Sequence, residues 1–363
     1  LEALKTLEGK KAIICVGGGS MKRFGFLQRA EDYLKEAGME VKLFEGIESD
    51  PSVDTVMKGA KVMEEYQPDW IVAIGGGSPI DAAKAMWIKY EYPDTTFEDM
   101  CKVFGLPKLR TKAHFCAVSS TSGTATEVTA FSIITDYEKG IKYPIADFEI
   151  TPDVAIVDPE LAETMPVKLV AHTGMDAMTH AIEAYVSTAN CDYTDPLALH
   201  AMEMIKANLV KSYNGDMAAR DSMHNAQCLA GMAFSNVGLG VVHGMAHPLG
   251  AIFDIPHGVA NALLLPIIME FNAPAALDKY VEIAKAMKVY KEGMSQEEAA
   301  RAAVDAVRAL SVRVGIPQHL SELGIKESDL DKLATAAIAD VCTPGNPREV
   351  TKEIILDLYK KAL

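Results

Sequence analysis

One aspartate and four histidines in the second half of the chain are the residues whose types and spacing suggest chemistry. Asp176 and His180 are four residues apart in a segment with a helical apolar pattern, which puts both side chains on one helix face. His243 and His247 repeat this spacing, and His257 follows at a predicted turn. Imidazoles and a carboxylate without a thiolate suit Fe²⁺, Zn²⁺ or Mn²⁺. The pattern predicts one divalent metal held by four of these five residues, while the fifth is left for proton transfer or substrate contact.

Two identical runs of three glycines and a serine are the second chemical feature. Gly17–Ser20 follows a predicted strand over 12–16, and Gly75–Ser78 follows another over 70–74. Bare backbone N–H groups at the start of a helix bind phosphate, although either run alone is also compatible with a plain tight turn. Two such runs at the carboxyl ends of neighbouring strands favour a nucleotide site. A third segment, Ser119–Thr129, offers hydroxyls that could wrap a ribose or a pyrophosphate, or could form an ordinary surface loop.

The elements that must position these residues divide the chain into two parts. In the first part, short β-rich runs alternate with amphipathic helical patterns, as in βαβ units on a parallel sheet. Here Asp50 is predicted to cap a helix that has Pro51 in its first turn. The second part consists of long helical stretches rich in Ala, Met and Leu, and a capping box predicts a helix start at Ser295. We predict an α/β domain over 1–158 and an all-helical domain over 159–363.

Composition restricts the partners. The chain has 363 residues with 35 Lys and Arg against 50 Asp and Glu, a formal net charge of −15, which opposes binding to nucleic acid or anionic lipid. The six cysteines have no paired spacing, which indicates reduced thiols and a cytoplasmic protein. The longest apolar run, Gly258–Met269, is shorter than the roughly 20 residues of a membrane span. Small molecules are therefore the expected partners.

Four motifs, taken in order, resemble those of the iron-containing (group III) alcohol dehydrogenases, and most closely those of the clostridial-type butanol dehydrogenases. The matching segments are GGGSPIDAAKA (75–85), STSGTATEVT (120–129), GMDAMTHAIEAYVS (174–187) and GLGVVHGMAHPLGAIFDIPHG (238–258). The resemblance covers essentially the whole chain. It implies a Rossmann-like dinucleotide-binding domain and an all-α metal- and substrate-binding domain that enclose a cleft, the architecture of dehydroquinate synthase.

The resemblance also implies which residues hold the metal. In the family an Asp, a His four residues later and two His fourteen residues apart bind the ion, and here these are Asp176, His180, His243 and His257. His247 corresponds to an additional histidine near the nicotinamide and is the implied catalytic residue. The implied activity is interconversion of short-chain primary alcohols, such as butanol, and aldehydes by hydride transfer with NAD(P)(H). Fe²⁺ is the implied ion, with Zn²⁺ as the alternative, and a homodimer or larger homo-oligomer is the implied assembly.

The implied cofactor contacts come from three segments: a pyrophosphate turn, a hydroxyl-rich loop and a lysine that reaches the ribose. The matching residues are Gly76, Gly77, Ser78, Asp81, Thr121, Ser122, Thr124 and Lys142. The loop departs from the family's usual PTTAGTGSEVT, because Ser119 replaces a proline, Ala125 a glycine and Thr126 a serine.

Two features bear on the choice between NADP(H) and NAD(H). Glu45 ends the second predicted strand, where a carboxylate can bind the 2′-hydroxyl of NAD and repel the 2′-phosphate of NADP. Gly19 and Ser20, with Lys22 and Arg23 just behind, offer N–H groups, a hydroxyl and two cations to a phosphate. A solvated carboxylate near the 2′-phosphate lowers the binding free energy by about 1 kcal/mol. Charge-assisted hydrogen bonds to the phosphate, of about 1.5–3 kcal/mol each, outweigh this repulsion. We therefore predict a preference for NADP(H).

Three competing functions fit parts of the pattern. A lyase of the dehydroquinate synthase type would need cations for its charged substrate, and Met232–Met269 contains no Lys or Arg. The second is a zinc-type glycerol dehydrogenase, and the third is a non-catalytic metal- or nucleotide-binding sensor. The apolar residues of the same stretch predict an uncharged substrate. They are Val241, Val242, Met245, Leu249, Ile252 and Phe253.

Overall fold

The computed structural model describes residues 1–363, and its contacts divide the chain into two compact units, Leu1–Thr164 and Met165–Leu363. The first unit is an α/β unit and the second is helical. This confirms the predicted fold class. No disulfide joins any of the six cysteines.

The strands of the first unit are β1 (Lys11–Gly17), β2 (Glu40–Ile47), β3 (Trp70–Gly75), β4 (His114–Ser119), β5 (Phe131–Asp136), β6 (Ile141–Ala146) and β7 (Val154–Val157). Five of them form a parallel sheet at the centre of the unit, in the order β2-β1-β3-β4-β7. Its central strands are buried on both faces, as their continuous apolar sequences require. A separate antiparallel hairpin, β5–β6, has no counterpart in the sequence-based prediction.

Six helices accompany this sheet, and one of them begins differently from the prediction. They are α1 (Ser20–Arg23), α2 (Phe26–Glu36), α3 (Val53–Tyr66), α4 (Gly77–Glu91), α5 (Phe97–Met100) and α6 (Pro159–Ala162). The cap of α3 is Ser52, whose hydroxyl accepts a hydrogen bond from the Thr55 N–H at 3.1 Å. The prediction that Asp50 caps this helix is wrong, because Asp50 has a left-handed backbone (φ +50°) two residues before the cap position.

Nine helices form the second unit, which confirms its all-helical character. They are α7 (Val167–Val186), α8 (Asp195–Tyr213), α9 (Met217–Val237), α10 (Val241–Phe253), α11 (His257–Asn272), α12 (Leu277–Ala286), α13 (Gln296–Arg313), α14 (Leu330–Ile338) and α15 (Lys352–Ala362). The capping box predicted at Ser295 is present, with Glu298 as its partner. The stretch His257–Ala275 is long and apolar enough to cross a membrane, but 67% of its most apolar 18-residue window is buried inside the structure, as expected of a core helix.

Candidate metal and cofactor sites

Four of the five predicted metal-site residues meet in the helical unit. Asp176 and His180 lie one turn apart on α7, His243 lies near the start of α10, and His257 is the first residue of α11. One ligand atom from each lies within 4.8 Å of all the others. The first three residues are buried, whereas the His257 side chain is 43% exposed. The site is therefore a buried cluster that is open on the His257 side.

Asn261, four residues after His257 on α11, marks the point at which the acceptors converge. Its Nδ2 lies 2.8 Å from Asp176 Oδ1 and 3.0 Å from both His243 Nε2 and His257 Nε2. An amide nitrogen has two protons, so it cannot satisfy three acceptors, and the buried Asn261 Oδ1 has no hydrogen-bond partner. One oxygen and two nitrogen lone pairs that converge on one point are what a divalent cation needs. The residues present therefore fit a metal ion.

Glu183 prepares His243 for this role. The Nδ1–H of His243 donates to Glu183 Oε2 at 2.5 Å, while Glu183 Oε1 accepts the Val242 N–H at 2.7 Å. Burial raises the pKa of the Glu183 carboxyl to about 7, and burial holds the pKa of His243 well below its ordinary value. His243 is therefore neutral, and its Nε2 lone pair is directed away from Glu183. Such a carboxylate behind a ligating histidine fixes the tautomer and orientation of the ring.

Asp176 remains ionised although it is buried. Burial alone would raise its pKa, but the nearby His180 and His257 and a hydrogen bond from Asn261 outweigh burial and lower it. The cluster therefore combines one negative carboxylate with imidazoles, the donor set expected of a catalytic rather than a closed structural site.

His247 lies beside this cluster but is directed elsewhere. Its Nδ1 lies 2.8 Å from Asp340 Oδ2, and its ring centre is 5.5 Å from that of His257. The His247 side chain is 32% exposed and Asp340 is 16% exposed. Asp340 is 93 residues away in sequence, and no pattern in the sequence points to it. Glu183 could have been found, because it follows His180 by three residues on the same helix face.

The two predicted glycine turns and the hydroxyl-rich segment follow β1, β3 and β4, which are neighbours in the sheet. The turn after β3 packs tightly on the segment after β4: a Cβ added at Gly76 would lie 3.1 Å from Thr121 Cγ2, and one at Gly77 would lie 3.2 Å from Thr124 Cγ2. The Oγ1 atoms of Thr121 and Thr124 are buried without a hydrogen-bond partner. Ser122, between them in sequence, is also buried. Bare backbone at Gly76 and Gly77 and the unpartnered hydroxyls of Thr121 and Thr124 fit a phosphate-bearing cofactor.

Ser78, Asp81 and Lys142 already have protein partners. The Lys142 ammonium lies 2.6 Å from Asp50 Oδ1, and Ser78 Oγ accepts the Asp50 N–H at 3.3 Å, so Asp50 connects these two predicted residues. The Asp81 carboxylate accepts from Thr126 Oγ1 at 2.7 Å and from the Ile133 N–H at 3.1 Å. Both oxygens of Asp81 therefore accept hydrogen bonds from the protein, and one of these bonds holds Thr126 in the hydroxyl-rich segment.

Sequence reasoning missed Lys84, which is completely buried on α4. Its ammonium donates to the carbonyl oxygens of Thr126, Thr129 and Phe131 at 2.8, 2.7 and 2.9 Å. A buried ammonium is stable only when such acceptors replace water. Lys84 therefore ties the end of the hydroxyl-rich segment to the helix that follows the glycine turn.

The first glycine turn and Glu45 lie at neighbouring strand ends. A Cβ added at Gly18 or Gly19 would meet nothing within 4 Å, and Ser20 begins α1. The Glu45 carboxylate pairs with the Lys22 ammonium at 3.0 Å. The carboxylate that was expected to repel a 2′-phosphate is therefore partly neutralised.

The apolar residues predicted to surround the substrate are mostly core residues. Val241, Val242, Met245 and Leu249 are at most 1% exposed, so their side chains face packed helices. That these four residues surround the substrate stays a prediction. Of the six, only Ile252 and Phe253 keep appreciable exposed surface.

Both units of the chain match known protein families. Residues 1–159 match the family described as iron-containing alcohol dehydrogenase, and residues 170–363 match the C-terminal part of the Fe-containing alcohol dehydrogenase family. The chain is 57% identical to an NADPH-dependent butanol dehydrogenase of Clostridium saccharobutylicum, over 99% of this chain and 93% of that protein. It is 44% identical to a lactaldehyde reductase of Escherichia coli K12, over 97% of this chain and 92% of that protein.

Solved structures agree with these matches. A 1,3-propanediol oxidoreductase superposes with a TM-score of 0.95 at 38% identity, over 99% of this chain and 96% of that chain. An alcohol dehydrogenase from Oenococcus oeni gives a TM-score of 0.94 at 33% identity, over 100% and 94% of the two chains. The resemblance in the four motifs thus extends to the whole chain, which belongs to the iron-containing alcohol dehydrogenase family.

Proposed function

We propose that this protein interconverts short, uncharged primary alcohols and aldehydes with NADP(H), using a divalent iron held by Asp176, His180, His243 and His257. The observation that supports this most directly is the convergence of Asp176 Oδ1, His243 Nε2 and His257 Nε2 on one point. A divalent ion held there would supply Lewis acidity at the alcohol oxygen, and a nicotinamide cofactor would supply the hydride chemistry at the alcohol carbon.

The protein's own residues hold and orient the reacting groups. Glu183 keeps the Nδ1 of His243 protonated, so that Nε2 is presented as a lone pair. Asp340 accepts the Nδ1–H of His247 and thereby leaves His247 Nε2 free to exchange a proton. Because His247 is partly exposed, we assign it the transfer of the alcohol proton to solvent.

We propose residues 1–158 as the dinucleotide-binding domain and residues 159–363 as the metal- and substrate-binding domain. The unpartnered hydroxyls of Thr121 and Thr124 beside Gly76 and Gly77 support a pyrophosphate contact. Pairing of Glu45 with Lys22, together with the NADPH-dependence named for the butanol dehydrogenase relative, supports NADP(H) over NAD(H).

The substrate and setting follow from related observations. The relatives named butanol dehydrogenase and lactaldehyde reductase support small alcohols and aldehydes as substrates. The absence of Lys and Arg from 232–269 supports an uncharged one. Six free thiols support a cytoplasmic location, and a homodimer or larger homo-oligomer is proposed from the family resemblance.

The test is an anaerobic assay of the iron-loaded protein that follows NADPH consumption with butanal. His257→Ala is expected to lose the ion and at least about a hundredfold in kcat, since it removes a direct ligand. His200→Ala is the control, because His200 is exposed and pairs only with Glu203. A His257→Ala protein with full iron content and full activity would contradict the site, and a higher kcat/KM with NADH would contradict the cofactor.

A further inference from the structure

A second cluster of metal-binding side chains lies beside the site described above. His247, Asp340 and Cys342, here called the His247 cluster, place one nitrogen, one carboxylate oxygen and one sulfur within 4.8 Å of one another. Asp340 is its centre: Oδ2 faces His247 Nδ1 at 2.8 Å, and Oδ1 accepts the Cys342 N–H at 2.9 Å. The His247 and Asp340 side chains keep exposed surface, so an ion can reach the cluster from their side.

We propose that the His247 cluster is a second metal site, which takes Zn²⁺ when zinc is in excess and inhibits the enzyme. Three protein ligands with an open position for water suit four-coordinate zinc. The thiolate distinguishes this cluster from the Asp176 cluster, which contains no sulfur, and thiolate selects Zn²⁺ over Fe²⁺.

A hydrogen-bonded trio that binds no ion is the rival explanation. In that explanation the Cys342 thiol is only a hydrogen-bond donor to Asp340, so the two explanations differ in whether its sulfur binds an added ion. A thiol with an ordinary pKa of about 8.5 is protonated at neutral pH, so a zinc ion must displace that proton. This cost makes the site weaker than a structural zinc site, which is why excess zinc fills it and trace zinc does not.

Inhibition follows from the ligand atoms used, and this step rests on the proposed function. Zinc bound to His247 and Asp340 breaks their hydrogen bond and holds the imidazole rigidly, so His247 can no longer carry the alcohol proton. The binding itself does not depend on the proposed reaction and can be measured separately.

Cobalt titration tests the binding. Co²⁺ is added anaerobically to the iron-loaded enzyme, and near-ultraviolet absorption is followed, because thiolate-bound Co²⁺ gives an intense charge-transfer band that imidazole and carboxylate ligands do not. We expect the band in the unmodified protein and in Cys191→Ser, which removes an exposed thiol, and its loss in Cys342→Ser. No band in the unmodified protein, a measurement that needs no variant, would overturn the proposal, as would a band that persists in Cys342→Ser.

Zinc inhibition tests the consequence. Each variant is compared with its own zinc-free rate of NADPH consumption, and we expect half-inhibition of Cys342→Ser to need at least about tenfold more zinc than the unmodified enzyme needs. Equal sensitivity would mean that zinc acts by replacing iron at the Asp176 cluster and would overturn the inhibitory role. A protein that lacks alcohol turnover altogether would refute the proposed function, while the cobalt band would still decide whether the site exists.

Discussion

Replacing Glu183 with glutamine isolates the group that supports the metal ligand His243. The substitution preserves size and shape but exchanges a two-oxygen acceptor for an amide. In the structure both oxygens are used, one by the His243 Nδ1–H at 2.5 Å and the other by the Val242 N–H at 2.7 Å. Whichever way the new amide is turned, its NH₂ group faces one of these two donors.

The magnitude follows from that mismatch. A buried donor without an acceptor costs about 1–3 kcal/mol. If the amide oxygen faces Val242, His243 loses the acceptor that holds its ring, and loss of such a support lowers metal affinity by about 10–100-fold. This corresponds to about 1.4–2.8 kcal/mol of binding free energy, in the same range as the hydrogen-bond cost.

Competition with a chelator measures the effect. The iron content of Glu183→Gln and of the unmodified protein is determined over a series of chelator concentrations, and kcat is measured with iron in excess. Glu282→Gln is the matched control, since Glu282 is exposed and pairs with Lys285 at 2.7 Å. We expect Glu183→Gln to release iron at about 10–100-fold less chelator, and Glu282→Gln to behave like the unmodified protein. Equal iron retention by all three proteins would refute the assigned role of Glu183.

Three further perturbations test other contacts. Lys84→Met leaves three carbonyl oxygens without their donor, so we expect the free energy of unfolding in urea to fall by about 2–4 kcal/mol. A fall below about 0.5 kcal/mol would contradict the role of Lys84 in holding the hydroxyl-rich segment to α4. Lys22→Met removes the cation paired with Glu45 and should lower the NADPH-to-NADH ratio of kcat/KM about tenfold; an unchanged ratio would remove Lys22 from the cofactor site. Burial would raise the pKa of Glu48, but hydrogen bonds from Ser52 and Thr55 outweigh it and lower the pKa to about 2. Its stabilisation is therefore present above pH 4.5 and lost as the pH falls towards 2, so Glu48→Gln should cost about 1–2 kcal/mol at pH 7 and nothing near pH 2; a pH-independent difference would contradict this reasoning.

The local features of this protein are readable from its sequence because they depend on short-range periodicity. The i, i+4 spacing of Asp176 and His180 places both on one face of α7 in any helix, and Ser295 with Glu298 caps α13 through contacts three residues apart. The continuous apolar runs of β1 and β3 likewise predict buried parallel strands, and the glycine turns follow directly from them. Asp50 does not serve as the cap that its residue type predicts, because its left-handed backbone is set by the surrounding loop.

The spacing of the histidines in the sequence does not determine the role of each one, because these roles depend on tertiary contacts. His243 and His247 are both histidines on α10, and their spacing alone leaves their roles interchangeable. Glu183 on α7 orients the first, and Asp340, after α14, holds the second, so each role is set by a carboxylate 60 or 93 residues away. Lys84 is similar: its sequence reads as part of a buried helix, and packing against the carbonyls of Thr126, Thr129 and Phe131 provides the acceptors for its ammonium group. Helix periodicity determines which face a side chain occupies, but the group that it meets there depends on how distant elements pack.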